Sequence, residues 1–174
     1  MIVLDSNCVT YLLDAMATGY HPGTDDDANL RPERVAMLKT YLYSDAPYIT
    51  PTAKAEVKQI SDVSSLRMHE MITNALLRET GAVDAAVTSG RASEFANQHQ
   101  GENDCAILAE AEAAGATALL TFDGGFRTNL TGVSPVSILT PADHWLSLEV
   151  KQGTPPRVQP HPTNPLSQSD WWRV

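Results

Sequence analysis

Four acidic residues occupy positions from which their carboxylates could meet: Asp5, Glu56, Asp104 and Asp123. Asp5 closes the apolar opening MIVLD, and Asp123 closes LLTFD, a second apolar run. Grouped carboxylates repel one another, and burying them costs several kcal/mol unless something neutralises them. A hard divalent cation with oxygen ligands, Mg²⁺ or Mn²⁺, meets that need. Its bound water can attack a phosphate, so these residues, here called the four acids, predict metal-assisted phosphoester chemistry.

Each of these acids has a simpler explanation when it is taken alone. Asp104 opens a predicted helix, where an acid commonly caps the free N–H groups. Glu56 would be an ordinary solvated residue of a helix. Asp5 and Asp123 are harder to explain in this way, because an acid that directly ends a buried strand needs a partner. Only the combination of all four favours a shared cation.

Short apolar runs and helical patterns alternate along the chain. Strands are predicted at 2–4, 48–50, 116–123 and 136–139, and helices at 7–16, 32–43, 51–60, 63–77, 104–115 and 141–150. Residues 18–31 read as a loop, and 81–100 could hold one or two helical turns on either side of Gly90. Short apolar strands separated by helices are typical of a parallel sheet with helices on both faces. Ligands of such sheets bind at the carboxyl ends of the strands, where Asp5 and Asp123 are predicted to lie.

The composition limits the classes of function. The chain has 174 residues, 43% of them hydrophobic, and a formal net charge of −9. Proteins that coat nucleic acid by charge alone need a basic surface, so that class is disfavoured, whereas a bound metal would reverse the charge locally. The two cysteines form no CxxC motif. We see no signal peptide and no apolar run as long as a membrane span, and therefore expect a cytoplasmic protein without a membrane partner.

The composition changes near residue 150. We predict one domain over 1–150 and a proline-rich arm over 151–174, which holds five of the eleven prolines. The arm carries Trp171 and Trp172, large apolar side chains that we expect to pack on the protein's own body or on a neighbouring subunit.

Three segments resemble PIN-domain nucleases, and most nearly the toxin ribonucleases of VapBC-type toxin–antitoxin pairs. They are MIVLDSN, GENDCAILAEAEAAG followed by LLTFDGGF, and SILTPADHW, so the resemblance spans residues 1 to about 150. It implies a three-layer α/β/α sandwich with a mainly parallel sheet and an acidic pocket for Mg²⁺ or Mn²⁺. It also implies endonucleolytic cleavage of RNA that leaves a 5′-phosphate, a homodimer, and a cognate antitoxin as partner.

The same resemblance assigns roles to individual residues. The metal-binding, catalytic acids of the family correspond to Asp5, Glu56, Asp104 and Asp123. Supporting polar positions correspond to Ser6 or Asn7 and to Thr121. Glu102 is an alternative to Asp104 for the third acid, although the residues that follow Asp104 have the family's spacing. Many members carry a further acid where this chain has Gly125, which leaves one or two metal ions open.

Two other functions compete with a ribonuclease. One is a non-catalytic PIN-like module that binds nucleic acid or protein. The other is a phosphatase of the haloacid-dehalogenase type, which also ends its first strand on a catalytic aspartate. That chemistry requires a second acid two residues later, where this chain has Asn7. For the dimer, the predicted helices at 32–43 and 63–77 offer apolar faces that a small sheet would leave partly uncovered. Met71, in the second of these helices, is expected to be an ordinary core residue.

Overall fold

The computed structural model of the chain describes residues 1–18, 31–59, 63–163, 167 and 173–174. The strands are β1 (Ile2–Leu4), β2 (Tyr48–Ile49), β3 (Arg78–Glu79), β4 (Ala118–Leu120) and β5 (Ser137–Leu139). The helices are α1 (Ser6–Thr18), α2 (Arg31–Tyr43), α3 (Pro51–Val57), α4 (Val63–Leu76), α5 (Ala85–Phe95), α6 (Glu102–Ala113), α7 (Gly124–Leu130) and α8 (Pro141–Ser147). Within these ranges, no helix is both long and apolar enough to cross a membrane.

The strands form one parallel sheet in the order β3-β2-β1-β4-β5. In the central strands, Leu4 of β1 is aligned with Ile49 of β2 and with Leu120 of β4. Adjacent residues of one strand point to opposite faces, and both Leu119 and Leu120 are fully buried, so helices cover both faces of the sheet. The predicted α/β fold, a three-layer sandwich with a short-stranded parallel sheet, is confirmed.

The strand order fixes where a ligand site is expected. From β1 to β3 the connections move across the sheet in one direction, and from β4 to β5 in the other. Since parallel crossovers are right-handed, this reversal places the two groups of helices on opposite faces. The neighbouring carboxyl ends of β1 and β4 therefore form the crevice in which α/β proteins bind their ligands.

Two threonines and a glycine that were predicted to begin or end helices do so in the structure. Thr50 accepts a hydrogen bond from the backbone N–H of Ala53, and Thr140 accepts one from that of Asp143, so both threonines cap helices that begin on a proline. Gly115 has φ of +73°, the left-handed conformation that commonly terminates a helix, and it directly follows Ala114, the C-cap of α6.

Two predictions about strands were wrong. The third strand in sequence, β3, was not predicted, because it consists of the exposed, charged residues Arg78 and Glu79. It forms through backbone hydrogen bonds to β2, including one from the N–H of Thr80 to the carbonyl of Ile49. The strand predicted at 116–123 ends at Leu120, so Asp123 does not terminate it. Asp123 is exposed and instead caps α7, which was not predicted.

Two helix boundaries also differ from the prediction. Residues 85–95, whose conformation the sequence left open, form the single helix α5, with Asp84 accepting hydrogen bonds at its N-terminus. The alanine-rich helix begins at Glu102 rather than at Asp104, because Gly101 takes the N-cap position. Asp104 therefore lies in the first turn and is not the cap.

The described part of the C-terminal arm contacts α2. The backbone N–H groups of Arg157 and Val158 donate to the carbonyl of Leu42 at 2.8 and 3.1 Å, and Val174 donates to the Tyr43 hydroxyl at 3.2 Å. A helix leaves its last four carbonyls without intrahelical partners, so the arm satisfies one of them.

Residues 19–30 of the predicted loop lie outside the described residues, as do Trp171 and Trp172.

Candidate functional site

Asp5 lies at the crevice between β1 and β4. It directly follows β1, its backbone N–H donates to the carbonyl of Leu120, and it is only 2% exposed. One carboxylate oxygen, Oδ1, accepts a hydrogen bond from the Ser6 backbone N–H at 2.7 Å, and the other, Oδ2, accepts one from the Thr121 hydroxyl, also at 2.7 Å. The carboxylate is thus fixed at the carboxyl edge of the sheet.

Thr121 links the two strand ends across this crevice. While its hydroxyl donates to Asp5, the same oxygen accepts from the backbone N–H of Asp123 at 2.9 Å and from Asn7 Nδ2 at 3.4 Å. A hydroxyl has one proton and two lone pairs, so these contacts use its full capacity. Asn7 adds a second link, because its Oδ1 accepts from the Phe122 backbone N–H at 3.2 Å. Of the polar residues predicted to support the site, Ser6 and Thr121 contact the Asp5 carboxylate directly, and Asn7 is linked to it through Thr121.

Asp104, in the first turn of α6, forms a short side-chain contact with a histidine. Its Oδ2 lies 2.6 Å from Nε2 of His99, a residue that the sequence analysis did not select. The side chain of Asp104 is 24% exposed and that of His99 10% exposed. The imidazole stacks on the buried ring of Phe126 with centroids 5.9 Å apart, and its Nδ1 lies 3.2 Å from Asn129 Nδ2.

Glu56 and Asp123 lie close enough to Asp104 to repel its charge. Glu56 is partly buried near the end of α3 and accepts a hydrogen bond from Asn103 Nδ2 at 2.6 Å, which joins α3 to α6. Asp123 accepts one from the Phe126 backbone N–H at 2.9 Å. Glu102 is exposed at the first position of α6.

The four acids influence one another electrostatically. Burial raises the pKa of Asp5 to about 6; the hydrogen bonds from Thr121 and Ser6 oppose the rise, and the charges of Asp104 and Glu56 add to it. Burial likewise raises the pKa of Asp104, against the favourable contact with His99 and together with repulsion from Asp123 and Glu56. Among the described residues, no lysine or arginine forms an ion pair with any of the four. The site carries excess negative charge.

The donor chemistry of this site fits a hard divalent cation, but its geometry is not preformed. Carboxylate and hydroxyl oxygens are the ligands that Mg²⁺ and Mn²⁺ prefer. As the side chains are placed, no three His, Cys, Asp or Glu residues within the described parts of the chain are grouped to hold a metal. Asp104, Glu56 and Asp123 each have one carboxylate oxygen hydrogen-bonded to a protein donor, which leaves the second oxygen of each for a cation. Sharing one cation would require the four carboxylates to come closer together.

No sequence pattern indicates that His99 belongs to the site. It belongs to no HExxH motif or close histidine pair, and it lies in the connection between α5 and α6. A signal was present in Gly101, two residues later. A Cβ atom at this position would lie 2.4 Å from Asp104 Oδ2 and 2.6 Å from His99 Nε2, so the pair requires a glycine there.

No protein-family model matches the sequence. No curated protein matches it either. The functional assignment therefore depends on the residues and geometry described above.

Proposed function

We propose that the protein is a Mg²⁺- or Mn²⁺-dependent endoribonuclease that acts in the cytoplasm as the toxin of a toxin–antitoxin pair. The observation that carries this proposal is the buried Asp5 carboxylate. It lies at the crevice between β1 and β4, its pKa is raised by burial and by two neighbouring acids, and no lysine or arginine among the described residues pairs with it. Such a carboxylate is best explained as part of a cation site.

In this proposal Asp5, Glu56, Asp104 and Asp123 hold the cation. When bound, the cation stabilises charge on the phosphate oxygens and lowers the pKa of its water. Ser6 and Thr121 fix the Asp5 carboxylate through hydrogen bonds to its two oxygens. The chain contributes the oxygen ligands, of which Asp5 is held in place, and a crevice, and the RNA phosphodiester would lie at its open side, beside the exposed Asp123.

The direct test is to incubate an end-labelled single-stranded RNA with the purified protein in MnCl₂, in MgCl₂ and in EDTA. We expect internal cleavage with either metal, 5′-phosphate ends on the downstream fragments, and no cleavage in EDTA. Cleavage by the protein itself that persists in EDTA would show a metal-independent mechanism and would contradict the proposal.

One observation favours a second candidate, a PIN-like module that binds nucleic acid or protein without catalysis. Within the described residues the carboxylates are engaged by protein donors and not grouped around a metal position. Such a module would bind RNA or a partner protein but leave the RNA intact in MnCl₂, so the cleavage assay separates the two functions.

The phosphatase alternative gains no support, because Asn7 stands where its second acid is needed and bridges to Thr121 and Phe122.

We also propose that the protein forms a homodimer in the absence of an antitoxin. Apolar side chains are exposed on α4, where Val63 is 62% and Met71 67% exposed. The expectation that Met71 belongs to the core was therefore wrong, because its side chain faces away from it. Light scattering should give twice the mass of one chain, and Met71→Glu should shift the protein towards the monomer by placing a charge in the interface. Val87→Glu is the matched control, since Val87 on α5 is 61% exposed. A monomeric wild-type protein would refute the proposed dimer.

A further inference from the structure

His99 is held from three sides in the connection between α5 and α6. Its backbone N–H donates to the carbonyl of Phe95 at 3.1 Å, and its ring stacks on Phe126 at an interplanar angle of 18°. The ring nitrogens contact Asp104 at 2.6 Å on one side and Asn129 at 3.2 Å on the other. The imidazole is therefore fixed in position and in rotation.

The contacts also determine where its proton lies. An ionised carboxylate can only accept hydrogen bonds, so Nε2 must carry the proton that is shared with Asp104. In a neutral imidazole the other nitrogen, Nδ1, is then an acceptor, which matches the amide Nδ2 of Asn129 as its donor. Asn129 is thus placed to donate to one ring nitrogen of His99 while the other donates to Asp104.

The absence of a side chain at Gly101 leaves room for the contact between His99 and Asp104. A Cβ atom at this position would collide with both Asp104 and His99. Gly101 has an ordinary φ of −74°, so its backbone conformation does not demand a glycine. The glycine is instead explained by the space that the His99–Asp104 contact needs.

We infer that His99 is a positioning residue, which orients the Asp104 carboxylate for cation binding through the chain Asn129–His99–Asp104. The inference rests on the proposed function, because it takes Asp104 as a metal ligand. His99 occupies one carboxylate oxygen, Oδ2, and thereby holds the other at a defined angle. Groups that orient metal ligands in this way change metal affinity about 10- to 100-fold when they are removed.

The test compares Mn²⁺ affinity, measured by titration calorimetry, in three variants. His99→Phe keeps a ring that can stack on Phe126 but removes both nitrogens, and we expect it to weaken Mn²⁺ binding about 10- to 100-fold. His99→Gln keeps an N–H donor and should recover part of that loss. Asp104→Asn removes the ligand itself and should weaken binding at least as much as His99→Phe. Metal-free melting temperatures show whether each variant is folded.

A double variant distinguishes positioning from direct ligation or a purely structural role. If His99 acts through Asp104, adding His99→Phe to Asp104→Asn should weaken Mn²⁺ binding by less than about twofold more. Unchanged affinity in a folded His99→Phe, or a full further loss in the double variant, would overturn the inference while leaving the metal site intact. If the wild-type protein binds no Mn²⁺, the proposed function and this inference both fail.

Discussion

Replacing Asp5 by asparagine is expected to reduce Mn²⁺-dependent RNA cleavage by about 1000-fold. Asparagine keeps the shape, and its one oxygen can still accept from Thr121, but its NH₂ group cannot accept from the Ser6 N–H and the charge that a cation needs is lost. Metal-ion stabilisation of a transition state is worth several kcal/mol, and about 1.4 kcal/mol corresponds to a factor of ten in rate. The measurement is the initial rate of cleavage of one end-labelled RNA in MnCl₂, with folding checked by circular dichroism.

Asp84→Asn is the matched control for this substitution. Asp84 is also an aspartate that accepts backbone N–H bonds, from Ala86 and Val87, but it caps α5. Asparagine is an equally good N-cap, so this variant should keep full activity. If Asp5→Asn retained cleavage while folded, Asp5 would be a structural residue and the site assignment would be wrong.

The same substitution is expected to stabilise the metal-free protein at neutral pH. Burial and the neighbouring acids raise the pKa of Asp5 from 3.8 to about 6, so the unfolded chain loses this proton at lower pH than the folded one. The folded state therefore binds more protons between these values, and the free energy of unfolding falls as pH rises from about 4 to above 6. The penalty at full ionisation is at most about 3 kcal/mol, since one pKa unit corresponds to about 1.4 kcal/mol.

Urea denaturation in EDTA, at about pH 7.5 and about pH 4, measures this difference. At the higher pH, Asp5→Asn should unfold with a free energy about 1–3 kcal/mol above that of the wild type. At the lower pH the two should differ by less than about 1 kcal/mol, because the wild-type carboxyl is then protonated in the folded state and partly protonated in the unfolded chain. Asp84→Asn should match the wild type at both. A destabilised Asp5→Asn at about pH 7.5 would show that the carboxylate stabilises the fold without metal.

Much of the frame that positions Asp5 could be predicted from local sequence. The run of Ile2–Leu4 before Asp5 is apolar without alternation, which is typical of a strand covered on both faces, and β1 is such a strand. The threonine–proline pairs at 50–51 and 140–141 specify helix starts by a local mechanism that packing does not alter. For this reason the carboxyl edge of the sheet, and the place of Asp5 on it, follow from the residues.

The errors arose where tertiary contacts decide the structure. β3 is a strand only because the exposed Arg78 and Glu79 lie beside β2, and nothing in their side chains indicates it. Asp123 follows an apolar run, yet its side chain caps α7, since the chain turns after Leu120. His99 lies only five residues before Asp104, but its ring is held there by Phe126 and Asn129 of α7, which are distant in the sequence. Sequence spacing carries no information on such long-range packing.

Anomalous X-ray diffraction from crystals soaked in MnCl₂ tests most directly whether the four acids share a cation. We expect an anomalous peak at the crevice between β1 and β4, bounded by the carboxylates of Asp5 and Asp104, with the Asp104 oxygen that His99 leaves free facing the metal. The same soak of Asp5→Asn crystals should show a weakened or absent peak. Wild-type crystals without a peak at Asp5, or with manganese bound only elsewhere on the surface, would contradict the account.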